Sequence, residues 1–142
     1  MAEPLSLVAS AITVAHTAAH LSLALFKVAR TFKHAPQEIA DIASEISTLS
    51  NTFTVLSDAI RSIESLCKPS LFQEVHTTLT RYCKIEAELI KLTNKSSKLK
   101  RLRWFFDGPR AKSLLKRVEG IKSALTLIVS VLRCTHEQVI IE

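Results

Sequence analysis

The hydrophobic residues between positions 39 and 63 recur at alternating spacings of three and four. Because an α-helix has 3.6 residues per turn, this spacing places all of them on one face. Acidic residues at 38, 41 and 45 lie near the start of the segment, where they favour the helix dipole. The pattern predicts a long amphipathic helix over residues 37–66, with an apolar seam of Ile39, Ile42, Ile46, Leu49, Phe53, Leu56, Ile60 and Ile63.

Three further segments show the same period. Residues 5–33 carry a polar stripe of Ser, Thr, His and Lys opposite a wide apolar face. Residues 70–93 open with Ser70 and Gln73, a pattern typical of a capping box, and position 85 or 86 completes their seam. Residues 109–136 follow a turn and begin with a proline. The seams of the last two helices are predicted to contain Phe72, Val75, Leu79, Tyr82, Ile85 or Glu86, Leu89, Leu92, Leu114, Val118, Ile121, Leu125, Ile128 and Leu132.

Helix-breaking residues are few and widely spaced. The 142-residue chain has two glycines and four prolines, the latter at positions 4, 36, 69 and 109. Such long uninterrupted segments favour helices over a β fold with many turns. Short connectors make consecutive helices antiparallel. The sequence therefore predicts one all-α domain over residues 1–142, an elongated antiparallel bundle of four long helices with a short basic helix or connector over 98–106.

The first helix is unusual because residues 4–26 contain no charged side chain. Glu3 stands where a signal peptide would carry basic residues. A fixed transmembrane helix is disfavoured because seven of the 23 residues are Ser, Thr or His. We expect a helix that is buried in a soluble bundle and is apolar enough for conditional membrane insertion. The residues predicted to insert are Leu5, Leu7, Val8, Ile12, Val14, Leu21, Leu25 and Phe26.

The net charge of +6 is concentrated in one segment. Residues 95–117 hold nine basic residues against Asp107, with three aromatic residues between them. Such a segment is a solvated connector, a surface that attracts anionic lipid, or a grip for single-stranded nucleic acid. The sequence shows no recognition helix and no zinc site, so we expect no nucleic-acid binding. The predicted membrane-surface patch is Lys95, Lys98, Lys100, Arg101, Arg103, Trp104, Arg110, Lys112, Lys116 and Arg117.

The residue pattern offers little for catalysis. Two glycines cannot build a phosphate-binding loop. His16 and His20 have a spacing that can share a metal, but no third ligand lies nearby in sequence. The odd number of cysteines, all within apolar helical segments, favours reduced and buried thiols. We expect neither an enzyme nor a cofactor or metal site.

The opening Met-Ala-Glu-Pro-Leu-Ser-Leu-Val-Ala-Ser-Ala-Ile resembles the start of HeLo-like N-terminal domains of fungal STAND (NLR-type) receptors. Further similarities are Ala35-Pro36 followed by Glu38-Ile39, the stretch from Leu49 to Leu56, the basic aromatic segment from Leu102 to Phe106, and Val118 to Leu125. The resemblance covers nearly the whole chain. It consists of a pattern of helices without invariant catalytic residues.

The resemblance implies an N-terminal effector domain of a larger receptor, with nucleotide-binding domains downstream of residue 142. HeLo domains of fungal heterokaryon incompatibility proteins and the bundles of mixed-lineage kinase domain-like proteins are related in kind. In those systems self-association drives the bundle from the cytoplasm to the plasma membrane in regulated cell death. The alternative is an adaptor or oligomerisation module that binds proteins without damaging membranes.

Overall fold

The computed structural model describes residues 4–31, 37–63, 69–93 and 109–141. They form four helices, α1 (Pro4–Thr31), α2 (Gln37–Ile63), α3 (Pro69–Thr93) and α4 (Pro109–Ile141). No strand occurs among these residues, so the prediction of an all-α fold is confirmed. The predicted short basic helix over 98–106 lies outside the described residues. α4 runs past its predicted end at 136, since no glycine or proline follows Gly120 to stop it.

Prolines mark the beginnings of the helices. Pro4, Pro69 and Pro109 are each the first residue of a helix. At this position the fixed φ of proline suits the helix and its missing N–H costs no hydrogen bond. Because α3 already begins at Pro69, Ser70 lies inside the first turn and the predicted capping box with Gln73 is wrong.

The helices surround the core in the cyclic order α1, α2, α4, α3. Glu45 lies beside Lys122 and, further along both helices, Val55 lies beside Leu132, so α2 and α4 run in the same direction. Glu88 lies near the start of α4, whereas Arg81 lies beside Gly120, which makes α3 antiparallel to α4. The connection from α2 to α3 therefore links helices on a diagonal of the bundle.

One hydrophobic core joins all four helices. The seam residues of α2 from Ile39 to Ile60 are all buried, as are those of α4 from Leu114 to Leu132. On the α2–α3 diagonal, the rings of Phe53 and Tyr82 stack with centroids 4.8 Å apart and planes inclined by 13°. This stack lies at the centre of the bundle, and the four seams meet around it.

Small residues bring α1 close to α2. Ala11, Ala15 and Ala18 of α1 and Ala43 of α2 are buried. The Ser50 hydroxyl donates a 2.8 Å hydrogen bond to the backbone carbonyl of Ala15. A side chain as short as serine reaches the neighbouring backbone only when the two helices approach closely. The α1–α2 contact is the most extensive in the bundle.

The predicted burial of the cysteines is wrong for both described thiols. Cys83 and Cys134 are free and exposed. Cys83 follows Tyr82 directly, and one residue rotates the helix by about 100°. A thiol next to a seam residue in sequence therefore points away from the core. Cys67 lies outside the described residues.

We expect Phe53→Ala to destabilise the fold by about 3–5 kcal/mol, because it removes one half of the central ring stack and leaves a cavity. Urea denaturation followed by circular dichroism measures the change. The control is Thr54→Ala at the neighbouring exposed position, for which a change below about 0.5 kcal/mol is expected. Equal losses in the two variants would contradict the central position of the stack.

Candidate functional site

The residues predicted to insert into a membrane lie on the core side of α1. Leu7, Val8, Val14, Leu21 and Leu25 are buried. Ile12 and Phe26 are partly buried and pack against the same core, and the side chain of Leu5 is not among those described. The apolar face of α1 is thus occupied by the other helices in this structure. Contact with lipid requires the helix to leave them.

Over residues 4–26 the outward side of α1 is polar but uncharged, and the exposed basic residues Lys27 and Arg30 follow at the end of the helix. Its exposed residues include Ser10, Thr13, His20 and Leu23, the last with 61% of its surface accessible. Thr13 donates a 3.0 Å hydrogen bond to the carbonyl of Ala9, and Thr17 donates an equal one to the carbonyl of Thr13. These hydroxyl donors are satisfied within the helix, which lowers the cost of removing them from water.

Length and composition would also allow α1 to cross a membrane. The segment Ser6–Arg30 has a mean hydropathy of 1.4 over its best window, and 44% of that window is buried in the bundle. A core helix of a soluble protein meets the same two criteria. The uncharged outward side is the feature that such a core helix does not need.

The described part of the predicted basic patch divides between two surfaces. Arg110, Lys112, Lys116 and Arg117 all lie in the first turns of α4 and are exposed. Arg110 and Arg117 line a groove that faces α3, whereas Lys112 and Lys116 line a separate outer surface. Helical rotation separates residues that are adjacent in sequence. The other patch residues, Lys95, Lys98, Lys100, Arg101, Arg103 and Trp104, lie outside the described residues.

The structure adds two basic residues that the sequence analysis did not select. Arg81 and Lys84 of α3 join Arg117 of α4 around a cleft with a volume of about 290 Å³. Ile85, Ile121 and Gly120 form the rest of its lining. We call this the α3–α4 cleft. Arg81 and Lys84 lie on either side of the seam residue Tyr82 in sequence, which indicates positions at the edge of the buried face of the helix. Only the packing shows which neighbouring helix they meet.

Arg117 also reaches across the helix interface. Its Nη1 lies 3.3 Å from Oε2 of Glu88, and about half of each side chain is exposed. An ion pair this exposed contributes little to stability. It orients the Arg117 guanidinium toward α3, at the edge of the α3–α4 cleft.

Two polar side chains of α3 are buried beside each other. The Tyr82 hydroxyl and Oε2 of Glu86 are removed from solvent and form no hydrogen bond of good geometry, although the two groups are close enough to interact. The sequence left open whether Ile85 or Glu86 belongs to the seam, and the structure buries both. Unsatisfied buried polar groups destabilise a fold. The centre of the bundle is therefore less stable than its apolar packing alone would make it.

Burial is the main cause of altered acidity at this position. It raises the pKa of the Glu86 carboxyl, and hydrogen bonding with the Tyr82 hydroxyl opposes this increase with a smaller effect. Burial, reinforced by the Glu86 charge, also raises the pKa of Tyr82. A raised carboxyl pKa means that the folded state favours neutral Glu86 more than the unfolded chain does.

The described residues contain no group of three His, Cys, Asp or Glu side chains that would hold a metal. His16 and His20 are exposed on the outward side of α1. Glu86 is buried whereas Glu88 is exposed, so these two carboxylates lie on different faces of α3.

We expect Glu86→Gln to reduce the pH dependence of stability. Below the ordinary glutamate pKa, residue 86 is neutral in both states and its contribution is fully present. As pH rises, the unfolded chain ionises first, so folding stability falls until the raised folded-state pKa is passed. The parent should thus lose more stability than the variant between acid and neutral pH.

Urea denaturation at a series of pH values measures this difference. The control is Glu88→Gln, which alters an exposed carboxylate two residues away on another face. Parallel stability curves for the parent and the Glu86 variant would contradict the interpretation.

Comparison of the chain with family models, with curated proteins and with solved structures returned no match. The likeness of residues 1–12 to HeLo-like domains therefore stays a prediction from sequence. The features that bear on function are the uncharged residues 4–26 of α1, the basic start of α4 and the α3–α4 cleft.

Proposed function

We propose that this chain is a signalling module without catalytic activity, which acts on membranes by releasing α1 from the bundle. The observation that carries the proposal is the absence of charge on the outward side of α1 over residues 4–26, with Lys27 and Arg30 confined to the end of the helix. Most helices of soluble bundles carry charges on the solvent side, as α2, α3 and α4 do here at Asp41, Lys84 and Lys112. Over residues 4–26 of α1 both sides are compatible with lipid.

The release of α1 requires a compensating interaction. Removing the helix exposes the seams of α2 and α3 and takes the acceptor from the Ser50 hydroxyl. The poorly satisfied Tyr82 and Glu86 oxygens lower the stability of the packed state. They therefore reduce the free-energy difference between the packed state and the state with α1 released. A trigger must still favour the released state by several kcal/mol for a clean switch, and self-association is the natural source.

By this proposal the module is cytoplasmic at rest and moves to the plasma membrane on activation, with regulated cell death as the outcome. The basic segment before α4 and the first turns of α4 attract anionic lipid. Each basic residue close to the surface contributes roughly 1 kcal/mol, so several together give weak recruitment. Insertion of α1 then supplies the stronger attachment.

The insertion step predicts a specific variant. Thr13→Glu combined with His20→Glu places two charges on the exposed side of α1, so the bundle should fold normally. A charge near the centre of an inserted helix costs about 2.5–3.5 kcal/mol. We expect dye release from vesicles that contain anionic lipid to be lost.

The matched control is Thr54→Glu combined with Thr80→Glu, which makes the same change in charge on α2 and α3. Both threonines are exposed and, like Thr13, donate to a carbonyl one turn earlier. The control should release dye as the parent does. Normal release by the α1 variant would contradict insertion of α1.

The recruitment step predicts a second variant. Reversal of four basic residues should abolish co-sedimentation with anionic vesicles, and added salt should weaken binding of the parent. A control reverses four scattered exposed charges instead and should retain binding. The test variant carries Glu at Lys98, Lys100, Arg101 and Arg103, and the control at Lys27, Arg61, Lys91 and Arg133. Unchanged binding by the test variant would contradict the electrostatic part of the proposal.

A non-lytic adaptor is the alternative, favoured by the exposed α3–α4 cleft as a surface for another protein. An adaptor should release no dye at any lipid composition, even where it sediments with vesicles.

A further inference from the structure

The α3–α4 cleft is a cationic surface in which Arg117 pairs with Glu88 at the edge while two other basic residues are not neutralised by described residues. Arg81 and Lys84 form no ion pair with a described residue, and no acidic residue lines the cleft. Ile85 and Ile121 supply an apolar floor between the charges. A groove between two helices that combines an apolar floor with charged edges has the form that accommodates a third helix.

Gly120 keeps the cleft open. Glycine in the middle of a helix costs about 1 kcal/mol relative to alanine. A Cβ atom at this position would meet nothing within 4 Å, so packing within the chain does not require the glycine. Its effect in this structure is to leave space at the cleft, where the backbone of another molecule can approach closely.

An acidic surface, opposite in charge to the α3–α4 cleft, lies on α2. Within Gln37–Ile63 four acidic residues stand against one basic residue, whereas Pro109–Ile141 has six basic against two acidic. Glu38 and Asp41 are exposed, and the residues one and two turns further along that side, Ser44 and Thr48, are short. The first turns of α2 thus present negative charge on a helix that can be approached closely.

We infer that the α3–α4 cleft is a self-association surface and that its occupant is the first half of α2 from a second copy of this chain. Glu38 and Asp41 of one copy face Arg81 and Lys84 of the other, and the short side chains of α2 pass over Gly120. Charge complementarity identifies the occupant, because one surface is a basic cleft and the other is the acidic face of a helix.

The two surfaces lie on different sides of the bundle, because α3 is diagonal to α2 in the cyclic order. Where one copy does not satisfy both surfaces of another, such an unlike pairing produces rings or open chains of more than two copies. This inference does not depend on the membrane activity proposed above, although it supplies a contact that would offset the release of α1.

A charge-swap experiment tests the inference. Arg81→Glu with Lys84→Glu reverses the cleft, and Glu38→Lys with Asp41→Lys reverses α2. Neither variant breaks an ion pair among the described residues. Sedimentation velocity over a concentration series should show self-association of the parent. Each variant should associate more weakly than the parent, by roughly tenfold or more. An equimolar mixture of the two variants should restore association, because the reversed charges again match.

Two further variants separate the cleft from general charge effects. Lys112→Glu with Lys116→Glu changes the same charge on α4 outside the cleft and should associate as the parent does. Gly120→Leu fills the cleft without changing charge and should weaken association, whereas Gly120→Ala should have a smaller effect. A parent that stays monomeric at every concentration would overturn the inference, as would a mixture that fails to associate.

The same proteins are tested for sedimentation with anionic vesicles. If cleft reversal removes vesicle binding while every protein remains monomeric, the cleft binds lipid and the inference is overturned. Loss of self-association with normal dye release would leave the membrane proposal standing and confirm the α2 contact.

Discussion

The burial of four apolar seams against one another determines this structure. An isolated amphipathic helix is marginal in water, because its backbone hydrogen bonds do not offset the exposed apolar stripe. Each seam therefore depends on the other three, and the Phe53–Tyr82 stack is where helices from opposite corners meet. α1 depends on this arrangement most, because its polar stripe over positions 4–26 carries no charged residue and its wide apolar face would be exposed if the helix left the bundle. α1 is stable in water only while α2 and α3 cover its apolar side.

The same core contains the reason why the packed state is not as stable as it could be. The Tyr82 hydroxyl and one Glu86 oxygen are buried without hydrogen bonds of good geometry, and the raised pKa of Glu86 records the cost of a carboxylate in that position. Leucine at position 86 would complete the seam without this penalty. A protein that switches between two packings needs a small free-energy difference between them. Unsatisfied polar groups in the resting, packed state reduce that difference. The α1–α2 contact, with its alanines and the Ser50 hydrogen bond, opposes this effect and holds α1 in place.

Charge is distributed by helix. α2 is acidic, α4 is basic, and α3 contributes Arg81 and Lys84 to the side of the bundle away from α2. Among the described residues, Glu45 of α2 and Lys122 of α4 form a long, partly exposed ion pair at 3.4 Å within one copy. Most of the charge therefore remains available to other molecules. The proposed contacts with lipid and with a second copy would use the uncharged stretch of α1, the acidic α2 and the basic cleft, and neither proposed contact needs a catalytic residue.

The three-and-four spacing of apolar residues determined the helices, their buried faces and most of their ends, because periodicity and prolines act locally. It placed Leu7, Val14, Leu21 and Leu25 correctly in the core. Tertiary structure alone decided which helices are neighbours. That order puts Arg81 beside Arg117, divides Lys112 and Lys116 from Arg110, and buries Glu86 as well as Ile85. The spacing of a single helix defines which side is apolar but carries no information on the identity of the helix that covers it. Contacts at the edges of a seam, where the cleft and the exposed Cys83 lie, depend on that identity and on the close approach that small residues such as Ala15 permit.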